Sequence, residues 1–355
     1  SPVHRHHRKP RDFAPADEER EVAAVTGACL LIRADVFREV GGFDEGYVNG
    51  FEDVDLCLQV RERGYRIVYA PKSVVYHDES VTPGRHARER ENVSRLHVKW
   101  LGRLPPGVLA EDAPAPEEAM AADDGAGRGA ASVVVVAYNS LPTIAPCLRS
   151  LARTLAPADE VIVVDNASRD GTREYLERVV SAWDRFRVLL NDRNLGFSRA
   201  CNQGLGLARG DLVVFLNPDT LVPPRWLSRL AAHLRDPGVG AVGPVSDRVA
   251  GLQKHELYLG GLVLPPGAPV VEVAEALYRQ NEGAGVEARM LLGFCLMVPR
   301  RVLEEVGPLD EDLFLGHEDL ELSWRLRRRG YRLLVATDVF VRHRGQVSFR
   351  SDPEA

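Results

Sequence analysis

The chain of 355 residues holds only five cysteines, Cys29, Cys57, Cys147, Cys201 and Cys295, and no two form a C-x-x-C pair. Neither a disulfide framework nor a thiolate zinc site is indicated, and a reducing cytoplasm is the expected compartment. Long apolar runs are also missing. The most apolar stretch, residues 259–271, is broken by Pro265, Pro266, Gly267 and Pro269 and falls short of the about 20 residues that a membrane-spanning helix needs. No secretory leader is expected, and Ser1 in place of a starting Met suggests a piece of a longer polypeptide. No G-x-G-x-x-G follows a strand-like run and no G-x-x-x-x-G-K-[ST] occurs, which removes the glycine cradles of dinucleotide and P-loop sites. Positive charge is not in excess either. The formal net charge is -6, and residues 103–131 carry two arginines against six Asp and Glu, so the remainder is close to neutral and shows no footprint for nucleic acid.

What is present is a 45% share of hydrophobic residues with 27% charged ones, enough for a sizeable core and too long for one domain of ordinary size. An internal repeat organises the chain. Gly27 to His77 lies on Gly293 to His343 at a constant offset of 266 positions without a gap. Both copies keep Val-Gly, Asp-Glu, Glu-Asp, Arg-Gly-Tyr-Arg and a closing His. So long a period means a duplicated domain rather than a solenoid. Residues 103–131, rich in Pro, Ala, Gly and acid, read as a flexible linker. Residues 1–102 therefore read as the C-terminal half of a first domain, and 132–350 as a complete second one. The opening HRHHRKPR reads as a solvated loop.

After the linker, apolar runs at 132–136, 160–164, 187–190 and 211–216 alternate with helical stretches from Leu141, Thr172 and Phe197. This pattern predicts an α/β domain with a mainly parallel sheet flanked by helices. Ligands of such sheets sit beyond the carboxyl ends of the strands. There the sequence places Ala137-Tyr138-Asn139, Asp165 to Thr172, Asn191 to Asn194, and Asn217-Pro218-Asp219. Each alone is an ordinary turn; together they form a polar rim able to hold a base, a sugar and phosphates.

These segments, VVVVAYNS, VIVVDNASRDGT, NDRNLGFSRACNQG, VVFLNPDT and GHEDLELSWRLRRRGYR, stand in one order over residues 132 to about 348. In that order they resemble the inverting family 2 glycosyltransferases with a GT-A fold, particularly their rhamnosyltransferase-like branch. The first copy resembles only the last part of that domain. The resemblance implies transfer of a sugar from a nucleoside-diphosphate donor, dTDP-rhamnose or a UDP-sugar, to a saccharide hydroxyl in cell-surface polysaccharide synthesis. It implies that Asp165 contacts the base, with Ala137, Tyr138 and Asn139 lining the pocket. Asn194, Gly196, Arg199, Asn202 and Asn217 would flank the diphosphate and sugar, and Arg199 is a candidate diphosphate contact. Asp219 matches the last acid of a D-x-D metal motif, whose first position here is Asn217, and His343 either completes a Mg²⁺ or Mn²⁺ site or lies behind it. A lipid-linked saccharide acceptor would put the protein at the cytoplasmic face of the plasma membrane as a peripheral enzyme.

The Glu318-Asp319 pair offers the catalytic base. Neighbours on a helix point about 100° apart, so one of the two faces a given ligand. With Leu320 at zero, a buried arc running from Leu322 and Leu326 through Asp319 and Ser323 to Leu320 and Trp324 is expected, with Glu318 at its border. That arrangement favours Asp319 over Glu318 for the cleft. Negative charge near a helix start is favoured by the orphan N–H groups and the dipole, although either acid could simply cap the helix. A competing expectation is a non-catalytic carbohydrate- or nucleotide-sugar-binding scaffold, motivated by Glu52, Asp53 and His77 in a copy without a donor half. A nucleotidyltransferase or a dehydrogenase would need the missing glycine loops.

Overall fold

A computed structural model describes residues 19–75, 88–100 and 125–345, apart from 126, 179, 181, 182, 266 and 315. The chain divides into two compact units, Ser1–Ala113 and Pro114–Ala355. The HRHHRKPR segment, His77 and most of 103–131 lie outside the described residues.

In the first unit, strands β1 (Arg20–Glu21) and β2 (Val68–Tyr69) pair antiparallel, with helices α1 (Ala34–Glu39), α2 (Glu52–Glu62) and α3 (Glu89–Trp100). One small core joins Val36, Leu56 and Val60; the other joins Tyr47, Leu58, Leu96 and Trp100. The fully buried Asp55 carboxylate accepts the Trp100 indole N–H at 2.6 Å and the Lys99 ammonium at 2.8 Å, so the buried acid is paired rather than orphaned.

In the second unit, β-branched runs form β3 (Ala131–Ala137), β4 (Glu160–Asp165), β5 (Phe186–Leu190) and β6 (Leu212–Leu216), linked by α4 (Leu141–Thr154), α5 (Thr172–Arg178) and α6 (Phe197–Leu207). The short β7 (Thr220–Leu221), α7 (Trp226–Ala232), β8 (Val239–Val245), α8 (Val270–Asn281), β9 (Gly285–Ala288), β10 (Cys295–Pro299), α9 (Arg300–Val306), α10 (Glu318–Arg328), β11 (Arg332–Phe340) and β12 (Arg342–His343) follow. The eight-stranded sheet runs β5-β4-β3-β6-β10-β8-β11-β9. Pairings through β5, β4, β3 and β6 are parallel, as is β8 with β11. The sheet is nevertheless mixed: β10 lies antiparallel between β6 and β8, and β9 is antiparallel on the edge. Helix α6 rests directly on β3, because a Cβ on Gly204 would meet a Val134 methyl at 2.4 Å.

The linker expectation over-reaches at its C-terminal end. Arg128 is buried, and both its terminal nitrogens donate to the Asp159 carboxylate at 2.7 Å. The same carboxylate accepts the N–H groups of Ala131 at 2.9 Å and Ala156 at 2.8 Å. Residues 127–131 thus already belong to the second unit. Removing one partner of a buried pair leaves the other uncompensated, typically at about 3–5 kcal/mol. Asp159→Ala should therefore lower unfolding stability by about 3 kcal/mol or more, measured by chemical denaturation; a loss within about 0.5 kcal/mol, the range of an ordinary surface substitution, would show that the pair is not a structural anchor.

The repeat is also a repeat of geometry. Helices α2 and α10 each span eleven residues and each follow a left-handed residue, Phe51 at φ 72° and His317 at φ 71°. In the first copy the Gly27 N–H donates to Asp53 Oδ2 at 2.6 Å; in the second the Gly293 N–H donates to Asp319 Oδ2 at 2.9 Å. Tyr65 and Tyr331 donate their hydroxyls to the corresponding Glu39 and Glu305.

Candidate active site

The carboxyl ends of β3, β4 and β5 are stitched by polar side chains. Asn139, in a left-handed conformation at φ 46°, accepts the Arg169 N–H at 2.8 Å, and its own N–H donates to Ser168 Oγ at 2.9 Å. Asp170 Oδ2 accepts the Leu141 N–H, and its Oδ1 accepts the Thr172 hydroxyl. The Asn166 carboxamide donates to Asn194 Oδ1 at 2.7 Å and accepts from the Leu195 N–H and the Asn191 amide. Asn191 and Gln203 exchange two further bonds. These bonds satisfy loop polar groups that secondary structure leaves unpaired.

Above this floor lies a cleft of about 470 Å³, lined in part by Tyr138, Ser168, Arg169, Arg173, Arg193 and Asn194. Three guanidinium groups give it a cationic wall, suited to phosphate or carboxylate. Arg173 sits 4.0 Å from Asp192 and donates to the Asn191 carbonyl. At the β4 end Asp165 is fully buried; Oδ2 accepts the Ser168 N–H at 3.2 Å, while Oδ1 has no partner. Burial pushes its carboxyl above the usual aspartate range despite the Ser168 bonds. Like Glu318 Oε2, Asp165 Oδ1 is sealed from solvent, and an unpartnered buried acceptor costs stability until a donor N–H reaches it.

A second cluster lies at the β6 end. Strand β12 pairs with β7, placing His343 opposite Thr220. His343 Nε2 lies 3.3 Å from Asp219 Oδ1 and 3.4 Å from the Asn217 amide, and its ring stacks on Phe294 at 5.1 Å. Two ligands of one octahedral cation at about 2.1 Å stand about 3 Å apart, so the carboxylate and the imidazole fit as adjacent ligands of one Mg²⁺ or Mn²⁺. Among the described residues no three His, Cys, Asp or Glu gather, so further ligands would have to come from the Asn217 carboxamide, diphosphate oxygens and water.

The third cluster is the start of α10. Asp319 accepts the Gly293 N–H on Oδ2 and the Leu320 N–H at 2.7 Å on Oδ1. A carboxylate offers about four lone-pair sites, so capacity remains for an incoming hydroxyl. Glu318 is more enclosed: its Oε2 is sealed from solvent and unpartnered, and burial raises its carboxyl above the ordinary glutamate range. The corresponding oxygen of Glu52 in the first copy is likewise sealed and unpartnered.

Several expected residues lie elsewhere. Arg199 donates to Glu311 at 2.9 Å, and Asn202 clasps the Leu309 backbone through 2.8 and 3.0 Å bonds. Both side chains hold the 309–311 loop and do not line the arginine cleft. Asn194 touches that cleft but turns its carboxamide oxygen inward to Asn166. Gly196, at φ +84°, is required by close approach, since a Cβ would lie 2.7 Å from the Phe314 carbonyl oxygen. Ala137 is buried, and its carbonyl accepts the Asn166 N–H. The expected buried arc of α10 is too wide: Leu322, Ser323 and Leu326 are buried, whereas Leu320 and Trp324 are 48% and 51% exposed. Helical periodicity marks an apolar stripe and is silent on whether anything covers it. Arg173 and Arg193 went unnoticed in the sequence because scattered arginines carry no motif.

A raised acid binds protons more readily folded than unfolded, so its contribution to stability is lost as pH rises from the ordinary glutamate range through the folded value. Glu318→Gln should therefore melt nearer to wild type at low pH and progressively above it toward neutrality. Parallel melting curves across that range would show that Glu318 ionises freely.

Residues 132–306 match the profile of "Glycosyl transferase family 2", and residues 5–101 that of "Glycosyltransferase like family 2". An uncharacterized protein, y4gI, of Sinorhizobium fredii (strain NBRC 101917 / NGR234) is 29% identical over 322 residues, covering 84% of this chain and 34% of that protein. An N-acetylglucosaminyl-diphospho-decaprenol L-rhamnosyltransferase of Mycobacterium tuberculosis (strain CDC 1551 / Oshkosh) is 31% identical over 243 residues, covering 62% of this chain and 78% of that protein. The chain thus spans only part of such relatives. The crystal structure of GalNAc-T7 with UDP, GalNAc and Mn²⁺ superposes with a TM-score of 0.50 at 19% identity, covering 63% of this chain and 45% of that one. That likeness shows the fold, the GT-A arrangement.

Proposed function

Since the chain belongs to glycosyltransferase family 2, we propose that its second unit moves a sugar from a nucleoside-diphosphate donor to a saccharide hydroxyl with inversion at the anomeric carbon. The observation that carries this reading is the arrangement at the strand ends: a cleft lined by Arg169, Arg173, Arg193 and Asp192 and by the Ser168 whose N–H donates to buried Asp165, and Asp219 paired with His343. Once a shift of the Asp165–Thr172 loop opens Asp165 Oδ1, that oxygen would accept an N–H of the base, with Tyr138 and Asn139 framing it. A cation held by Asp219 and His343, with Asn217 beside them, would supply charge neutralisation on the departing diphosphate. The likeness to the mycobacterial L-rhamnosyltransferase supports an L-rhamnosyl donor and a lipid-linked saccharide acceptor, which would bring the protein to the cytoplasmic face of the membrane; dTDP-rhamnose and a UDP-sugar are the donors to test. No helix among the described residues is long and apolar enough to cross a membrane.

Asp319 takes the acceptor proton. The hydroxyl oxygen forms its bond to the anomeric carbon as that carbon's bond to the diphosphate oxygen breaks and the electron pair leaves with the diphosphate. Gly293 orients Asp319 from behind, and Glu318 lines the same helix start without an accessible Oε2. Residues 27–75 would correspond to the acceptor-side part of such a domain, as the Gly27–Asp53 and Gly293–Asp319 bonds support.

General-base catalysis contributes about 10²–10⁴-fold. Asp319→Asn should lower turnover by that order while donor binding changes little; wild-type turnover would exclude Asp319 as base. A thermal-shift panel of UDP, dTDP, GDP and NADH, with and without Mn²⁺ or Mg²⁺, tests the donor site, because a ligand of the folded state raises its melting temperature. Metal-dependent stabilisation by one diphosphate, lost in Asp219→Ala, is expected. Stabilisation by NADH alone, or by none of them, would overturn the assignment in favour of a non-catalytic scaffold.

A further inference from the structure

The β8–β11 ladder ends in an unusual way beside the Asp219 cluster. The two strands run parallel, and at the end of the ladder the Val341 N–H still donates to the Val245 carbonyl at 3.0 Å. Beyond it a side chain takes over from the strand: the His343 N–H donates to Asp247 Oδ1 at 3.2 Å. The second oxygen, Oδ2, accepts the Arg342 Nε–H at 3.0 Å, and the same guanidinium donates onward to the Ala268 carbonyl at 2.6 Å. One carboxylate thus holds two successive residues of β12, the strand that carries His343 to Thr220 of β7. The Asp247 side chain is 27% exposed and that of Arg342 19%, so water screens the pair less than it would a surface one.

Asp247 is itself anchored. The neighbouring Ser246 is buried; its N–H donates to the Gln253 carbonyl at 2.8 Å and its carbonyl accepts the His255 N–H at 3.0 Å. On the far side of His343, the Asp219 carbonyl accepts the Arg344 N–H at 2.9 Å. The backbone of 342–344 is therefore gripped by Asp247 at one residue and by Asp219 at the next. The ring is directed by the same loop, since the Arg248 carbonyl stands 3.4 Å from His343 Nδ1. A carbonyl only accepts, so Nδ1 carries the proton there and Nε2 is left with its lone pair on the side of Asp219 Oδ1, 3.3 Å away. That is the tautomer in which an imidazole binds a cation through Nε2.

We propose that Asp247 is a positioning residue of the cation site, acting through His343 and not on the cation itself. It fixes the backbone of Arg342 and His343 so that Nε2 already faces Asp219 before an ion arrives. The inference rests on the reading that Asp219 and His343 hold a divalent cation, and adds the residue that makes the two adjacent. Without the Asp247 carboxylate the His343 N–H loses its acceptor, and the Arg342 Nε–H with it. Ordering the strand then falls to the ion, and binding that must first order its ligands is weaker. Partners that orient a ligating histidine typically carry a factor of about 10–100 in metal affinity.

The test uses the whole 355-residue chain and Mn²⁺, titrated with and without UDP or dTDP, the free ion being followed by its EPR signal. Wild type is expected to bind Mn²⁺, and Asp247→Ala to bind it about 10–100-fold more weakly. Asp247→Asn keeps a side-chain oxygen for the His343 N–H and should stay near the wild-type affinity. In a His343→Ala background Asp247→Ala should lower the affinity no further, because the ligand it positions is gone. Thermal melting of the metal-free variants checks that each is folded. Equal affinity of wild type and Asp247→Ala overturns the proposal and leaves the cation site standing. So does a loss in Asp247→Asn as large as in Asp247→Ala, which would make the effect one of charge, and so does a further loss in the His343→Ala background. If wild type binds no Mn²⁺ under any of these conditions, the reading of the cation site fails and the proposal with it.

Discussion

The backbone N–H of Gly293 donated to Asp319 ties the loop entering β10 to the first turn of α10. Strand β10 is the piece on which both halves of the second unit meet: it pairs over five residues with β6 on one side and touches β8 on the other. The same loop carries Phe294, whose carbonyl accepts the Asn217 N–H and whose ring stacks on His343. This bond therefore links the proposed base to the loop that touches the Asp219–His343 cluster. Its repetition at Gly27 and Asp53 marks it as a property of the folding unit itself. That is why conformity of Asp319 to a family motif and its role as an anchor coexist in one side chain: two of its lone-pair sites hold the backbone and the others stay available.

The strand ends divide the labour between shape and charge. Asn166, Asn191, Asn194 and Gln203 spend their hydrogen bonds on one another and on loop backbone, which ties the irregular loops together. Loops so tied allow Asp165 to remain half-satisfied and Arg169, Arg173 and Arg193 to face one cleft. A site whose polar groups are held in place beforehand spends less of a ligand's binding energy on ordering it. The cationic wall offers guanidinium groups where no glycine-rich backbone cradle occurs in the sequence.

The duplication supplies an internal control that a single domain lacks. The two copies agree in the left-handed residue before the helix, the Tyr-to-Glu bond and the sealed glutamate oxygen, so these belong to the folding unit that both repeat. Leu58 of α2 is buried under α3, and Trp324 at the matching position of α10 is half exposed.

The order of strands and helices from β3 to β6 was legible in the sequence to within about two residues, because β-branched runs and helical periodicity are local signals and parallel neighbours follow in chain order. The same local signals located Asp165, Asp219 and Asp319 at strand ends and a helix start. Only the tertiary structure decided that β10 inserts antiparallel, since sheet neighbours separated by long connections leave no periodic trace. It alone brought His343 to Asp219 across more than a hundred residues, gathered scattered arginines into one cleft, and drew Arg199 and Asn202 away to the 309–311 loop. It also exposed Leu320 and Trp324, which periodicity had placed inside. A residue's pattern is a property of its own helix, whereas its burial and its bonding partners belong to whatever else the fold packs against it.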